Sequence, residues 1–78
     1  MFSTTQLALA AYLLTIGFEI VDCAAVNRKQ AQFFFKDPER KASKEAYAYD
    51  HGAVCEARVL YANFRTLRGM ADEAVRRG

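Results

Sequence analysis

The chain has 78 residues, 53% of them hydrophobic, and a formal net charge of only +2. This length allows one domain with a small core, and the hydrophobic fraction argues against an intrinsically disordered chain. The charge, with no basic or acidic tail, gives weak support to a nucleic-acid or membrane partner. We therefore expect a single domain over residues 1–78.

The N-terminal residues predict the start of a helix. Ser3 and Gln6 have the spacing of a capping box, in which each side chain bonds to the backbone N–H of the other. Phe2 and Leu7 stand at the two positions of a hydrophobic staple. The first helix is thus expected to begin directly after Ser3.

The first helix is predicted to be enclosed, because its side chains are apolar on nearly every side as far as Ile16. Gly17 is expected to end it as a left-handed residue. The apolar stretch 7–18 resembles a signal-peptide core, but no basic residue precedes it and it is too short to span a bilayer. We expect a cytoplasmic protein with no membrane partner.

Residues 18–26 and 30–36 predict two antiparallel strands joined by a turn at 27–29. Pairing Val26 with Gln30 across this three-residue loop assigns every side chain to a face, and a slip by one residue would bury an aspartate among phenylalanines. The core face then consists of Val21, Cys23, Ala25, Ala31, Phe33 and Phe35. The other face consists of Ile20, Asp22, Ala24, Val26, Gln30, Gln32, Phe34 and Lys36.

Three consecutive phenylalanines are the most informative feature of the second strand. Side chains alternate along a strand, so Phe33 and Phe35 share one face and Phe34 lies on the other. A domain this small rarely covers both faces of a sheet. The aromatic side chain on the second face therefore predicts a contact surface, whose candidate residues are Gln32, Phe34, Lys36 and Val26.

Two further helices are predicted after the hairpin. Asp37 and Pro38 have the N-cap and first-turn preferences of a helix over 38–51 that stops at Gly52. A longer helix is expected from about residue 53 to 76, with an apolar stripe formed by Leu60, Phe64, Leu67, Ala71 and Ala74. The predicted fold is a small α+β domain of order α-β-β-α-α, in which the hairpin packs against the first and last helices.

Catalytic and metal chemistry find little support in the sequence. The chain has one histidine, His51. Cys55 stands four residues later, at a spacing that would share a helix face with His51, but Gly52 is expected to interrupt that helix. The carboxylates Glu45, Asp50, Glu56, Asp72 and Glu73 lie among basic residues and are typical of surface ion pairs. We expect a non-enzymatic protein without catalytic residues, metal or cofactor, and with Cys23 and Cys55 as free apolar thiols.

Protein–protein contact is the preferred interpretation of the second sheet face. A hairpin with open edges and an exposed aromatic side chain favours either addition to a partner or self-pairing as a homodimer. The alternative is nucleic-acid binding, in which Phe34 stacks on a base and cations hold phosphates. The candidate contacts for that alternative are Arg28, Lys29, Arg58, Arg65 and Arg76.

A family resemblance covers nearly the whole chain. The first helix has the pattern LAxYLLxxGF, and an aromatic strand, a Tyr-containing helix and a closing helix with Leu-Arg follow it. The matching positions are Leu9, Ala10, Tyr12, Leu13, Leu14, Gly17, Phe18, 33–35, Tyr49, Gly52, Arg58, Leu67 and Arg68. The chain thereby resembles an uncharacterised family of small bacterial and phage proteins. The resemblance implies a fold and a phage or mobile-element setting, and it implies no activity.

Overall fold

The computed structural model describes residues 1–77 and has three helices and a three-stranded antiparallel sheet. Its elements are β1 Phe2–Thr4, α1 Leu7–Thr15, β2 Ile20–Ala25, β3 Ala31–Phe35, α2 Ala42–Asp50 and α3 Ala57–Arg77. The predicted α+β class is confirmed, as is the order of the five predicted elements. A short strand precedes them and makes β3 the central strand, since the sheet order is β1-β3-β2.

The N-terminal capping box is wrong, because Phe2–Thr4 forms β1 instead of a helix start. Ser3 pairs with Phe34, and the residues on either side of it pair with the neighbouring phenylalanines of β3. Helix α1 begins at Leu7, and Gln6 at its N-cap position makes no side-chain capping bond. Pairing with β3 also half-buries Phe2 against the core, a gain that a local capping box does not offer.

Helix α1 is enclosed as predicted. All five residues from Leu9 to Leu13 are buried. Gly17 ends the helix with φ of 108°, a conformation that favours glycine. Its N–H donates to the carbonyl of Leu14 at 3.2 Å, and the N–H of Phe18 donates to the carbonyl of Leu13 at 3.0 Å. These two bonds form a Schellman motif and turn the chain sharply into the hairpin.

The predicted register of the hairpin is confirmed. Cys23 pairs with Phe33, and the Val26 N–H donates to the Gln30 carbonyl at 3.0 Å across the predicted three-residue loop. The Asn27 side chain holds the loop, because its Oδ1 accepts from the backbone N–H of residue 29 at 2.8 Å and of residue 30 at 2.9 Å. The same register makes Phe33 and Phe35 fully buried core residues.

A β-bulge at Val21 corrects the predicted faces at the start of β2. Ile20 pairs with Phe35 and Asp22 pairs with Phe34, so Val21 is an extra residue without an opposite partner. Val21 was predicted in the core, but it is 40% exposed, and Ile20 packs against the core in its place. The irregularity allows a larger side chain to reach the core while Asp22 stays in solvent.

The two C-terminal helices begin later than predicted. Helix α2 starts at Ala42 and not at Pro38, because residues 38–40 form a turn with Arg40 at φ of 55°. Asp37 still caps the helix, since its carboxylate accepts from the backbone N–H of Lys41 at 2.7 Å and of Ala42 at 3.2 Å. Gly52 ends α2 as predicted, and α3 starts at residue 57 after a short connection.

The core lies between one face of the sheet and helices α1 and α3. Its fully buried side chains are Phe33, Phe35, Leu13 and Leu67. The predicted apolar stripe of α3 faces it, with Leu67 buried and the other stripe members half-buried. A hydrogen bond of 3.0 Å from Asn63 Nδ2 to Thr15 Oγ1 ties α3 to α1. With the core on this side, the opposite sheet face is left to polar and small side chains around Phe34.

Candidate protein-binding face of the sheet

Phe34 stands at the centre of the outer sheet face. It lies on the central strand, where Ser3 of β1 and Asp22 of β2 are its direct neighbours on either side. The burial of β3 alternates strictly, so Phe34 and Gln32 are half-buried while the residues between and beside them are buried. The register that was predicted from the sequence therefore places the aromatic ring among short polar neighbours.

The four predicted face residues occur together on this side of the sheet. Val26 is 49% exposed at the end next to the hairpin turn. Gln32 donates from Nε2 to Ser3 Oγ at 2.8 Å, which ties the central strand to β1. Lys36 follows β3, and its Nζ lies 2.9 Å from the carboxylate of Glu19. The outer sheet face thus has Phe34 beside the bond between Gln32 and Ser3, whereas Val26 lies beyond β2 and also lines a cavity with Val75 of α3.

Ser3 is a member of this face that the sequence interpretation missed. The missed signal is the β1 segment itself, whose Phe-Ser-Thr residues include types that favour strands. Because strand pairing to β3 is a contact distant in sequence, the capping-box pattern was the stronger local feature.

The candidate phosphate contacts do not form one surface. Arg28 lines a small cavity of about 280 Å³ together with Val75, so the hairpin turn lies beside the C-terminal end of α3, which carries Arg76. Arg58 stands in the first turn of the same helix, about 27 Å from Arg76 along the helix axis at 1.5 Å per residue. Arg65 lies over the ring of Tyr61, with 5.9 Å from Cζ to the ring centroid. The predicted set is thus divided along the length of the helix.

A groove that the sequence did not indicate runs between the free edge of β2 and the C-terminal half of α3. Its volume is about 540 Å³, and its lining consists of Ile20–Ala25, Met70, Glu73, Ala74 and Arg77. Short side chains at positions 23–25 of β2 and at Ala74 of α3 leave this space open. Only the packing of a distant helix against the hairpin creates it, so no local pattern could predict it.

The titratable side chains with shifted pKa values lie outside the outer sheet face. Burial, reinforced by the nearby Glu45 carboxylate, raises the pKa of the Tyr12 phenol, whose oxygen is 3.5 Å from Glu45 Oε2. Burial and the neighbouring Asp22 raise the pKa of the Cys23 thiol. Both cysteines are free and half-buried. Within residues 1–77, no three His, Cys, Asp or Glu side chains are grouped so that they could hold a metal ion.

The comparison with protein families decides what the chain belongs to. A family model described as a domain of unknown function, DUF5659, matches residues 1–72. The chain belongs to this family. The prediction of an uncharacterised family is thereby confirmed. No curated protein and no solved structure shows significant similarity to the chain. Across residues 1–77, no helix has both the length and the hydropathy that crossing a bilayer requires.

Proposed function

We propose that this protein is a non-enzymatic interaction module that acts by protein–protein contact through the outer sheet face. The observation that carries the proposal is the position of Phe34, a half-buried aromatic residue at the centre of the exposed side of a three-stranded sheet. The resemblance to small bacterial and phage proteins supports a role as a cytoplasmic accessory of a phage or mobile element.

The outer sheet face has the composition of a small contact site. Aromatic side chains are enriched among the residues that contribute most to protein–protein binding, and a border of polar residues excludes water around them. Here Phe34 is the aromatic centre, and Gln32 bonded to Ser3 forms part of the border. The first partner to test is a second copy of the chain, because a homodimer about this face would enlarge the core of a small domain.

Sedimentation of the wild type and of Phe34→Lys at high micromolar concentration tests the proposal. The lysine places a desolvated ammonium, and a like charge from its symmetry mate, in the contact, so we expect the variant to be monomeric where the wild type associates. Tyr47→Lys is the matched control, since Tyr47 is 66% exposed on α2 and away from the sheet. It should associate as the wild type does.

One result would exclude a second copy as the partner, and another would contradict the proposal itself. A wild type that stays monomeric at every concentration would exclude self-association as the contact. A loss of monomer stability in Phe34→Lys as large as that of a core truncation would show that Phe34 is a structural residue, and the proposed contact face would be wrong.

Nucleic-acid binding is the second candidate function, and the cations at one end of the molecule favour it. The cavity shared by Arg28 and Val75 brings the hairpin turn, with Lys29, to the end of α3 that carries Arg76. Titration with a short single-stranded oligonucleotide at low salt tests this. Replacing Arg28 and Lys29 with alanine should weaken binding for every sequence and flatten its salt dependence, whereas Arg58→Ala at the far end is the control. No binding at low salt would exclude this function.

A further inference from the structure

The free edge of β2 offers backbone groups that β3 does not use. Backbone hydrogen bonds to a neighbouring strand come from every second residue of an antiparallel strand. Because Val26 bonds to Gln30, the N–H and C=O groups of the even-numbered residues of β2 point toward β3, and those of Cys23 and Ala25 point to the free edge. The Cys23 N–H donates to Oδ1 of Asp22 at 2.8 Å. The exposed Asp22 side chain thus covers one donor of this edge, and the other backbone groups of Cys23 and Ala25 are open.

Helix α3 supplies a second wall along this edge. Met70 and Ala74 are one helical turn apart and line the groove of about 540 Å³ together with β2. Glu73 and Arg77 also line it and form an ion pair of 3.2 Å. A cleft between an edge strand and a helix is the arrangement in which several peptide-binding domains add an extended segment to their sheet. Its volume is in the range of binding clefts, about 300–1,000 Å³.

The charges of the groove select the occupant. A strand that pairs with Cys23 must displace the Asp22 carboxylate from the Cys23 N–H, and the exposed carboxylate regains a protein partner only if the added strand brings one. Within residues 1–77, the ion pairs involve other acidic residues and leave Asp22 without a cation, whereas Glu73 is already paired with Arg77. A basic side chain on the added strand meets this need.

A second copy of β2 does not meet it. Two β2 strands pairing edge to edge would displace two Asp22 carboxylates and bring no cation to either of them. Like charges on facing strands destabilise such a pair. The bulge at Val21 further disturbs the regular ladder that self-pairing would require.

We propose that the groove between β2 and α3 binds an extended basic peptide segment of another protein, which adds to the free edge of β2 as a fourth strand. Its carbonyl replaces Asp22 on the Cys23 N–H, and its lysine or arginine pairs with the released carboxylate. Its side chains on the helix side rest on Met70 and Ala74. The groove borders the outer sheet face at Asp22, but it does not include Phe34, so the proposal does not rest on the contact proposed for that residue.

Titration of the full chain, followed by its backbone amide NMR signals, tests the proposal. The probe is a capped peptide of about seven residues, with alternating valine and threonine and a central lysine. Two matched peptides carry glutamate at the centre or N-methyl groups on alternate amides. We expect the lysine peptide to shift the amide signals of Cys23, Ala25, Met70 and Ala74. The glutamate and N-methylated peptides should bind at least about tenfold more weakly.

Asp22→Asn separates the charge from the backbone pairing. Asparagine keeps an oxygen for the Cys23 N–H, so the variant should bind the lysine and glutamate peptides with nearly equal affinity, whereas Asp72→Asn on the exposed side of α3 should keep the preference for lysine. Phe34→Leu, which adds no charge beside Asp22, should leave the titration unchanged. Equal affinity of the wild type for the lysine and glutamate peptides, no shifts at millimolar peptide, or shifts confined to the outer sheet face would each overturn the proposal.

Discussion

The three consecutive phenylalanines of β3 offer a sharp test of the sheet's two faces. Phe33 is 1% exposed and lies against the helices, so its truncation to alanine removes a fully buried ring. Such truncations cost about 3–5 kcal/mol. Phe34 is half-buried on the outer sheet face, and its truncation should cost about 1 kcal/mol, roughly half the transfer free energy of a buried apolar side chain.

The size of the domain decides which substitution is practical. A chain of 78 residues is expected to have an unfolding free energy of about 4–12 kcal/mol, so Phe33→Ala removes a large share of it. Phe33→Leu is the milder variant, with an expected loss of about 1–2 kcal/mol. Phe34→Leu should lower the unfolding free energy by only a few tenths of a kcal/mol, because the Phe34 ring is only half-buried.

Urea unfolding of the four variants at low micromolar protein concentration measures these losses. With an m-value of about 1 kcal/mol/M, Phe33→Leu should lower the midpoint by about 1–2 M and Phe34→Leu by much less. Low concentration matters because Phe34 would be buried in a dimer. Equal shifts at both positions in a monomer would refute the assignment of Phe34 to an open face.

Three further predictions concern stability. Gly17→Ala should lower the unfolding free energy by about 1–2 kcal/mol, because the backbone φ of 108° disfavours any side chain there. Gly69→Ala should raise the unfolding free energy by about 0.5–1 kcal/mol, because the site on α3 has open space and alanine favours a helix. Thermal melts of both variants measure these changes. Asn63→Ala should cost about 1 kcal/mol, and a double-mutant cycle with Thr15→Val should show a coupling of similar size, because the two side chains share a hydrogen bond of 3.0 Å. Burial raises the pKa of Tyr12 above its ordinary value of 10.0, which means that the folded state favours the neutral phenol. The stabilisation of the folded state that comes from this shift is complete below pH 10.0 and is lost as the pH rises through the raised pKa. The unfolding free energy of the wild type should therefore fall more steeply at alkaline pH than that of Tyr12→Phe, in denaturant titrations at a series of pH values.

Local chemistry in the sequence was sufficient for the register of the hairpin and the ends of two helices. Asn27 supplies the turn, and alternating side chains allow only one register without a buried aspartate, so the pairing of Val26 with Gln30 followed from residues near each other in the chain. Gly17 and Gly52 stand where a left-handed residue ends a helix, and both have positive φ. The four candidate residues of the outer sheet face followed from the same alternation.

Only the tertiary structure decided what the N-terminus, the start of β2 and the groove become. Ser3 has a sound local capping pattern, yet its segment pairs with β3 about thirty residues away, because pairing there satisfies backbone groups and half-buries Phe2. The bulge at Val21 arises where Ile20 reaches the core formed with the helices. The groove needs α3 packed beside β2, so its lining residues become neighbours only in the folded chain. Sequence patterns specify contacts between near neighbours, whereas these features depend on the free energy of burying distant segments against each other.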